Sequence, residues 1–197
     1  MNKKAFTLIE IAFVCLIVSI LFHSMFSLFV LAINRFSHQE SHIVMTWEGG
    51  MLCSYLSQDF EDAYLSGDPH ESLHKISAEN GKLTLPIGDK FVEYVFDQRS
   101  GQVNREFGKI HQEIGKKLIK QFEIVPEVQF SNGEIKVFSP KSLADAEKAR
   151  IVPTRIWFKV NLILETEIAG SKTAGQDFGF YAFPVRINRQ LQSIWKP

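Results

Sequence analysis

The chain has 197 residues with 22 basic and 22 acidic side chains, so its formal net charge is zero. Without a basic excess or a basic run, nucleic-acid binding has no electrostatic support. Hydrophobic residues make up 45% of the chain, which excludes a disordered polypeptide, and two cysteines are too few for a disulfide scaffold.

The first feature in chain order is Lys3-Lys4-Ala5-Phe6-Thr7-Leu8-Ile9-Glu10, followed by an apolar run from Ile11 to Ile33. No residue between Glu10 and Arg35 is formally charged. As a helix that interval spans about 36 Å, enough to cross a hydrocarbon core of roughly 30 Å. Ser19, His23, Ser24 and Ser27 are the polar interruptions. Lys3 and Lys4 precede the run, so the positive-inside rule sets the orientation: N-terminus in the cytoplasm, everything after Arg35 outside. Three readings compete. A secretory signal peptide has an apolar region of about 7–15 residues ending in a small-residue cleavage site; this run is longer and no A-x-A pattern follows it. A plain signal anchor leaves Glu10 unexplained, because a carboxylate costs on the order of 2.5–3.5 kcal/mol at the centre of a membrane helix and asks for a partner even near the interface. The third reading rests on a resemblance carried by the whole octet, and it supplies that partner.

A basic tip, a small residue, Phe6 and one acid at the mouth of a membrane-length helix resemble the class III leader and N-terminal helix of type IV prepilins and type II secretion pseudopilins. The resemblance implies that a prepilin peptidase cuts between Ala5 and Phe6 and that Phe6 is N-methylated. It also implies that Glu10 helps subunits join a filament. Cleavage there creates an α-amine that is cationic near neutral pH. In a low-dielectric setting, that amine on one subunit and Glu10 on its neighbour attract strongly and offset each other's burial. The family usually has Gly before the scissile bond; this chain has Ala5, the smallest change available.

From Arg35 to about Tyr64 the pattern is amphipathic. Phe36, Ile43, Val44, Trp47, Met51, Leu52, Tyr55, Leu56, Phe60 and Ala63 recur at three- and four-residue steps, while His38, Glu40, Glu48, Ser54, Gln58, Asp59 and Asp62 fill the other face. The membrane helix therefore continues into solvent and lays one side on a domain. Gly49-Gly50 predicts a kink or soft point, and Ser66-Gly67-Asp68-Pro69 a stop and a turn.

Short strands follow. Lys82–Leu85 is closed by Pro86; Phe91–Phe96 and Gln102–Arg105 form a hairpin through Asp97–Gly101. Ile110 to Phe122 is ambiguous, and Ile114, Leu118, Ile119 and Phe122 can form one short helical face. Glu123–Phe130 and Glu134–Phe138 read as a second hairpin through Ser131-Asn132-Gly133. A short helix is expected over Lys141–Arg150, a long strand over Arg155–Leu164, a loop over Ile168–Gln176 and a last strand over Phe178–Ile187. The expected fold class is α+β: a long N-terminal helix, with a transmembrane half and an amphipathic half, packed on an antiparallel sheet. The divisions are a leader at 1–5, a transmembrane part at 6–34, an amphipathic part at 35–64 and a β-rich globular domain at 65–197.

The order of later motifs is a Leu56–Phe60 helix end, Val92-Glu93-Tyr94-Val95 followed by Val103-Asn104-Arg105, then Pro153-Thr154-Arg155-Ile156 and Phe183-Pro184-Val185. In this it is similar to the J-type minor pseudopilins of type II secretion. That resemblance implies a non-enzymatic component of the pseudopilus tip in the bacterial inner membrane. Its partners would be the prepilin peptidase, the I-type and K-type minor pseudopilins, the major pseudopilin and the inner-membrane assembly platform. A minor pilin of a type IV or competence pilus is the alternative, and a membrane-anchored periplasmic enzyme or binding protein a further one.

The catalytic and metal signals are sparse. His38 and His42, and His70 and His74, have i, i+4 spacing, but H-E-x-x-H is not met and no third ligand is evident. No G-x-S-x-G, phosphate loop or Cys/His dyad appears. Glu165, Glu167 and Asp177 offer a weak Ca²⁺ possibility without an EF-hand pattern; otherwise no cofactor is expected. On one continuous helix Cys15 and Cys53 lie about 57 Å apart, so they do not pair and serve as small apolar packing residues.

Overall fold

The computed structural model describes residues 8–67, 72–79, 81–168 and 172–194, except the side chains of 167, 168, 172, 173 and 194. The chain is α+β. One helix, α1 (Leu8–Asp62), runs for 55 residues, about 82 Å at helical rise. A helical turn at 72–75 leads to a five-stranded antiparallel meander of β1 (Ser77–Glu79), β2 (Lys82–Ile87), β3 (Lys90–Asp97), β4 (Gln102–Phe107) and β5 (Ile110–Ile114), in that spatial order. A second sheet has the order β7-β6-β8-β9, from β6 (Ile119–Phe130), β7 (Ile135–Val137), β8 (Pro153–Ile168) and β9 (Lys172–Ala182). Two short helices complete the fold, α2 (Pro140–Lys148) before β8 and α3 (Val185–Ile194) after β9.

The outer half of α1 buries Met45, Gly49, Leu52, Leu56 and Phe60, and Ala63 follows just past its end. The steps of three and four residues put these positions on one stripe, which lies against β8 and β9. Phe60 meets Phe158 with ring centroids 4.7 Å apart. Each fully buried side chain of this size contributes about 1.5–3 kcal/mol over leaving it exposed. The expected stripe was broader than the observed one: Phe36, Ile43 and Trp47 are exposed, at 71%, 69% and 65%.

Gly49-Gly50 does not end the helix. A Cβ on Gly49 would stand 2.5 Å from Cε2 of Phe178 and 3.2 Å from Cδ1 of Leu164. The missing side chain is thus what lets the β8–β9 hairpin close on the helix. Gly50 faces open space.

Three expectations need correction. Ile110–Phe122 contains no helix: Gly108, at φ +63°, turns the chain so that Phe107 pairs with Ile110, and β5 follows in register. Backbone pairing to β4 then outweighs a helical face of four apolar residues. The expected loop Ile168–Gln176 is mostly strand, with pairing from Glu165↔Gly175 out to Ile168↔Lys172. The last strand stops at Ala182, and Pro184 leads into α3, which buries Ile187 and Leu191 one turn apart. Asn188 on α3 bonds both the N–H (2.8 Å) and the C=O (3.0 Å) of Ile156, and Gln190 does the same for Leu65 at 2.8 Å each. Two helical side chains therefore satisfy backbone groups that no sheet neighbour reaches.

The two glycines separate packing from propensity. Gly50→Ala is expected to stabilise the detergent-solubilised chain by about 0.5–1 kcal/mol through helix propensity. Gly49→Leu is expected to destabilise it by about 1–3 kcal/mol through overpacking against Phe178. Thermal denaturation of both variants checks the pair, and equal effects would show that Gly49 is no contact point.

Candidate functional site

Among the described residues, the first half of α1 has no buried side chain. Large apolar side chains from Leu8 to Ile33 are exposed throughout, with Leu8 at 89% and Phe22 at 72%. This segment is long and apolar enough to cross a membrane, with a mean hydropathy of 2.4 in its best window. Apolar surface of this extent calls for a cover of lipid or protein. Two of the polar interruptions are settled inside the helix itself. Ser19 Oγ donates to the carbonyl of Cys15 at 2.7 Å, and Ser24 Oγ donates to that of Ile20 at 2.9 Å. Such internal bonding is what a hydrocarbon environment demands of a hydroxyl.

Among the residues singled out from sequence, Lys3, Lys4, Ala5 and Phe6 lie outside the described residues. Glu10 is exposed in the first turn of α1, where the positive end of the helix dipole favours a carboxylate. His38 and His42 stand on α1, and His70 is outside the described residues. Glu165 sits in β8 with Lys120 3.8 Å away, and Asp177 lies in β9 opposite Ile163; the side chain of Glu167 is not described. Among the described residues no three His, Cys, Asp or Glu side chains converge as a metal site. Both thiols are free, Cys15 exposed and Cys53 half-buried, and burial pushes the Cys53 thiol pKa up.

The outer half of α1 is held by a polar seam that sequence reading did not find. Asp59, expected on the solvent face, is buried at 3% exposure. Its carboxylate takes two bonds from Arg105: Nη2 to Oδ1 at 2.7 Å and Nε to Oδ2 at 2.8 Å. The Tyr94 hydroxyl donates to the same carboxylate and accepts from Arg105 Nε at 3.2 Å. Arg105 Nη1 donates to Gln112 (3.0 Å), whose amide donates to the Tyr55 hydroxyl (3.0 Å), and the guanidinium lies 5.1 Å from the Tyr55 ring centroid. Two helical turns before Tyr55, nearer the membrane-length segment, Glu48 accepts the Gly115 N–H at 2.8 Å. Glu48, Tyr55 and Asp59 thus pin α1 to the edge of the first sheet while the apolar stripe holds it to the second.

The strands deliver these partners by register. Tyr94 on β3 sits directly opposite Arg105 on β4, and Arg105 opposite Gln112 on β5. Burial chiefly, and then the Asp59 charge, push the Tyr94 pKa well above the usual phenol range. The bonds to Asp59 chiefly keep Arg105 even more firmly protonated than usual. A hint was present in the sequence: Val103 and Arg105 share one strand face, and Tyr55 and Asp59 stand one helical turn apart beside Leu56 and Phe60.

This arrangement joins a rigid, apolar, exposed helix to a folded domain. No protein-family profile, curated protein or solved structure matches the chain.

Asp59→Ala strands Arg105 in the interior and is expected to cost about 3–5 kcal/mol, whereas Asp59→Leu with Arg105→Met restores most of that loss. Urea unfolding of the full chain in detergent checks both; a double variant as weak as the single would refute the account. A pH effect follows from Tyr94. Its folded pKa is raised, so the native state keeps a proton that the unfolded chain releases above about pH 10. The contribution is complete below that pH and declines as pH rises past it. Tyr94→Phe should flatten the alkaline fall in melting temperature.

Proposed function

We propose that the chain is a minor pseudopilin of the J-type, a structural subunit of the type II secretion pseudopilus tip that assists protein export across the outer membrane. The observation that carries this reading is the continuity of α1. One unbroken helix places a membrane-length apolar half, headed by Glu10, on the same rod as a half clamped inside an α+β domain. A detachable signal peptide needs no such rod, and an anchor for an enzyme needs no register with the domain it carries.

In this reading Lys3 and Lys4 hold the N-terminus on the cytoplasmic side of the inner membrane, with the domain in the periplasm. The prepilin peptidase cuts between Ala5 and Phe6, and Phe6 is N-methylated. The carboxylate of Glu10 meets the cationic N-terminus of a neighbouring subunit where the low dielectric strengthens the pair. The I-type and K-type minor pseudopilins, the major pseudopilin and the inner-membrane assembly platform are the implied partners. No cofactor takes part. A minor pilin of a type IV or competence pilus uses the same rod and differs in its partners.

Mass spectrometry of the purified protein is expected to give a mature chain beginning with N-methyl-Phe6; an intact Met1, or a cut near residue 30, would sink the reading. Glu10→Val should reduce incorporation into the filament by roughly tenfold or more, given the strength of a low-dielectric ion pair, without moving the melting temperature of the domain. Co-purification with I-type and K-type partners separates the secretion subunit from a pilus subunit.

A further inference from the structure

The outer strands of the two sheets are not equally protected. β1 and β7 have three residues each; β1 lies beside β6, and β7 centres on Lys136. β5 stands against α1, where Gln112 bonds Tyr55 and Gly115, just past the strand, bonds Glu48. β9 is different: it has 11 residues, and its far side pairs with no strand among the described residues. Every second residue of such an edge turns its N–H and C=O outward. Proteins ordinarily blunt long edges with proline, lysine or a bulge. From Ala174 to Ala182, β9 has no proline, no basic residue and no shift in its register with β8.

The flank of α1 lies beside this edge. β8 runs antiparallel to α1, with Leu164 beside Gly49 and Phe158 beside Phe60, so β9 runs the same way as the helix. Glu48 reaches towards the first sheet, and Gly50 stands about 200° around the helix from it. That is the side of Thr46, which meets Gln176 of β9 at 3.0 Å. Here Ile43, Thr46, Trp47 and Gly50 line an open groove of about 580 Å³, and a Cβ on Gly50 would meet nothing within 4 Å. Between His42 and Glu61 no residue on this flank is charged. Phe178 of β9 points at Gly49, so the opposite face of the strand carries Gly175, Asp177, Gly179 and Tyr181. Asp177 is exposed and has no ion-pair partner among the described residues. Its charged neighbours on that face are Glu165, opposite Gly175 and 3.8 Å from Lys120, and Lys159, farther along opposite Tyr181. The unanswered charge at the middle of the edge is therefore negative.

We propose that β9 is a docking edge for an extended segment of another protein, which adds as a fifth strand to the second sheet. The segment's residues facing α1 are apolar and fill the groove beside Ile43 and Gly50. On its other face a Lys or Arg stands opposite Asp177, between aromatic side chains that cover Gly175 and Gly179. A second copy of this chain fits poorly, because β9 brings no basic residue between 174 and 182 to answer Asp177. Two-fold pairing of β9 with itself would also be antiparallel and would point the two α1 helices opposite ways. Only that last point rests on the membrane reading of α1, since both apolar halves would need one bilayer; the peptide test does not.

The test uses the full chain in lipid nanodiscs and the fluorophore-labelled peptide Gly-Thr-Phe-Val-Lys-Val-Phe-Thr-Gly, which presents the same side chains in either strand direction. It should bind by anisotropy, and hydrogen exchange should slow across 174–182 and not in β7. Replacing its Lys by Glu should weaken binding about fivefold, and Asp177→Lys should invert that preference. N-methylating either both valines or the Lys and both Phe residues removes N–H groups from opposite edges of the peptide. One of these forms should therefore lose at least roughly tenfold in affinity while the other binds normally. Ile43→Ser should weaken binding without moving the melting temperature, because that side chain is exposed. Equal losses from the two N-methylated forms would mean docking by side chains alone and would overturn the proposal. So would a peptide that does not bind, unchanged exchange in β9, or an unchanged Lys preference in Asp177→Lys. A detergent-solubilised chain that dimerises with β9 already protected would likewise overturn it, making a second copy the occupant.

Discussion

The buried carboxylate of Asp59 fixes how the helix and the domain meet. Taken out of water alone, it would be intolerable; with two bonds from Arg105 and one from Tyr94 it is fully accommodated. This satisfaction depends on one placement of α1. A slip of one residue rotates a helix by about 100°, which would carry Asp59 away from Arg105 and Glu48 away from the Gly115 N–H. A slip that brought Glu48 to the position of Gly49 would also drive a side chain into Phe178. Hydrophobic burial supplies most of the adhesion between helix and sheets, but it tolerates sliding. The polar seam does not, and so the direction in which the apolar half of α1 leaves the domain is set by residues inside the domain.

Much of this was legible in the chain. The membrane-length run, the long helix beyond it, the two hairpins through Asp97–Gly101 and Ser131–Gly133, and the helix after Ser139 all announce themselves through composition, period and turn chemistry. The misses share a cause. Ile110–Phe122 read as ambiguous because four apolar residues fall at helical steps, yet a tight turn at Gly108 had already committed its first part to pairing with β4. Residues 172–176 looked like a loop because Lys172, Ala174 and Gly175 are poor strand signals, although each residue of the stretch pairs with an extended partner in β8. The helix at Val185–Ile194 has Ile187, Leu191 and Ile194 at helical steps, but Phe183, Val185 and Ile187 also continue the alternating stretch before it, and that period masked the helix.

The seam itself was hidden for a different reason. Asp59 and Arg105 are 46 positions apart, and nothing local marks either as buried. Charge at a helix position reads as solvent face, and in most proteins that is correct. Only the sheet register, Tyr94 opposite Arg105 and Arg105 opposite Gln112, gathers the donors that a buried carboxylate needs. Pairing at this range is a property of the topology, and it becomes visible once the strands are aligned.

The long helix also has a mechanical consequence. From Met45 outward α1 is gripped by both sheets, and from Leu8 to Ile33 its surface is apolar on every side. Between these stretches, residues 34–44 carry no fully buried side chain, and Ser37, His38 and Ser41 are half-buried. A hinge would be expected there if the two halves moved independently, yet the segment contains no glycine or proline, and sharp helix kinks almost always need one of those or an inserted group. Ser41 Oγ bonds the carbonyl of Ser37 at 2.9 Å, and Thr46 ties the next turn to Gln176 of β9 at 3.0 Å. The two glycines that would soften the rod lie inside the gripped region, at positions 49 and 50, where packing against β9 restrains the first of them. The first of the two soft points is thus held by packing, and the stretch between the gripped half and the apolar half contains no residue that ordinarily kinks a helix, so the helix keeps one direction across both halves.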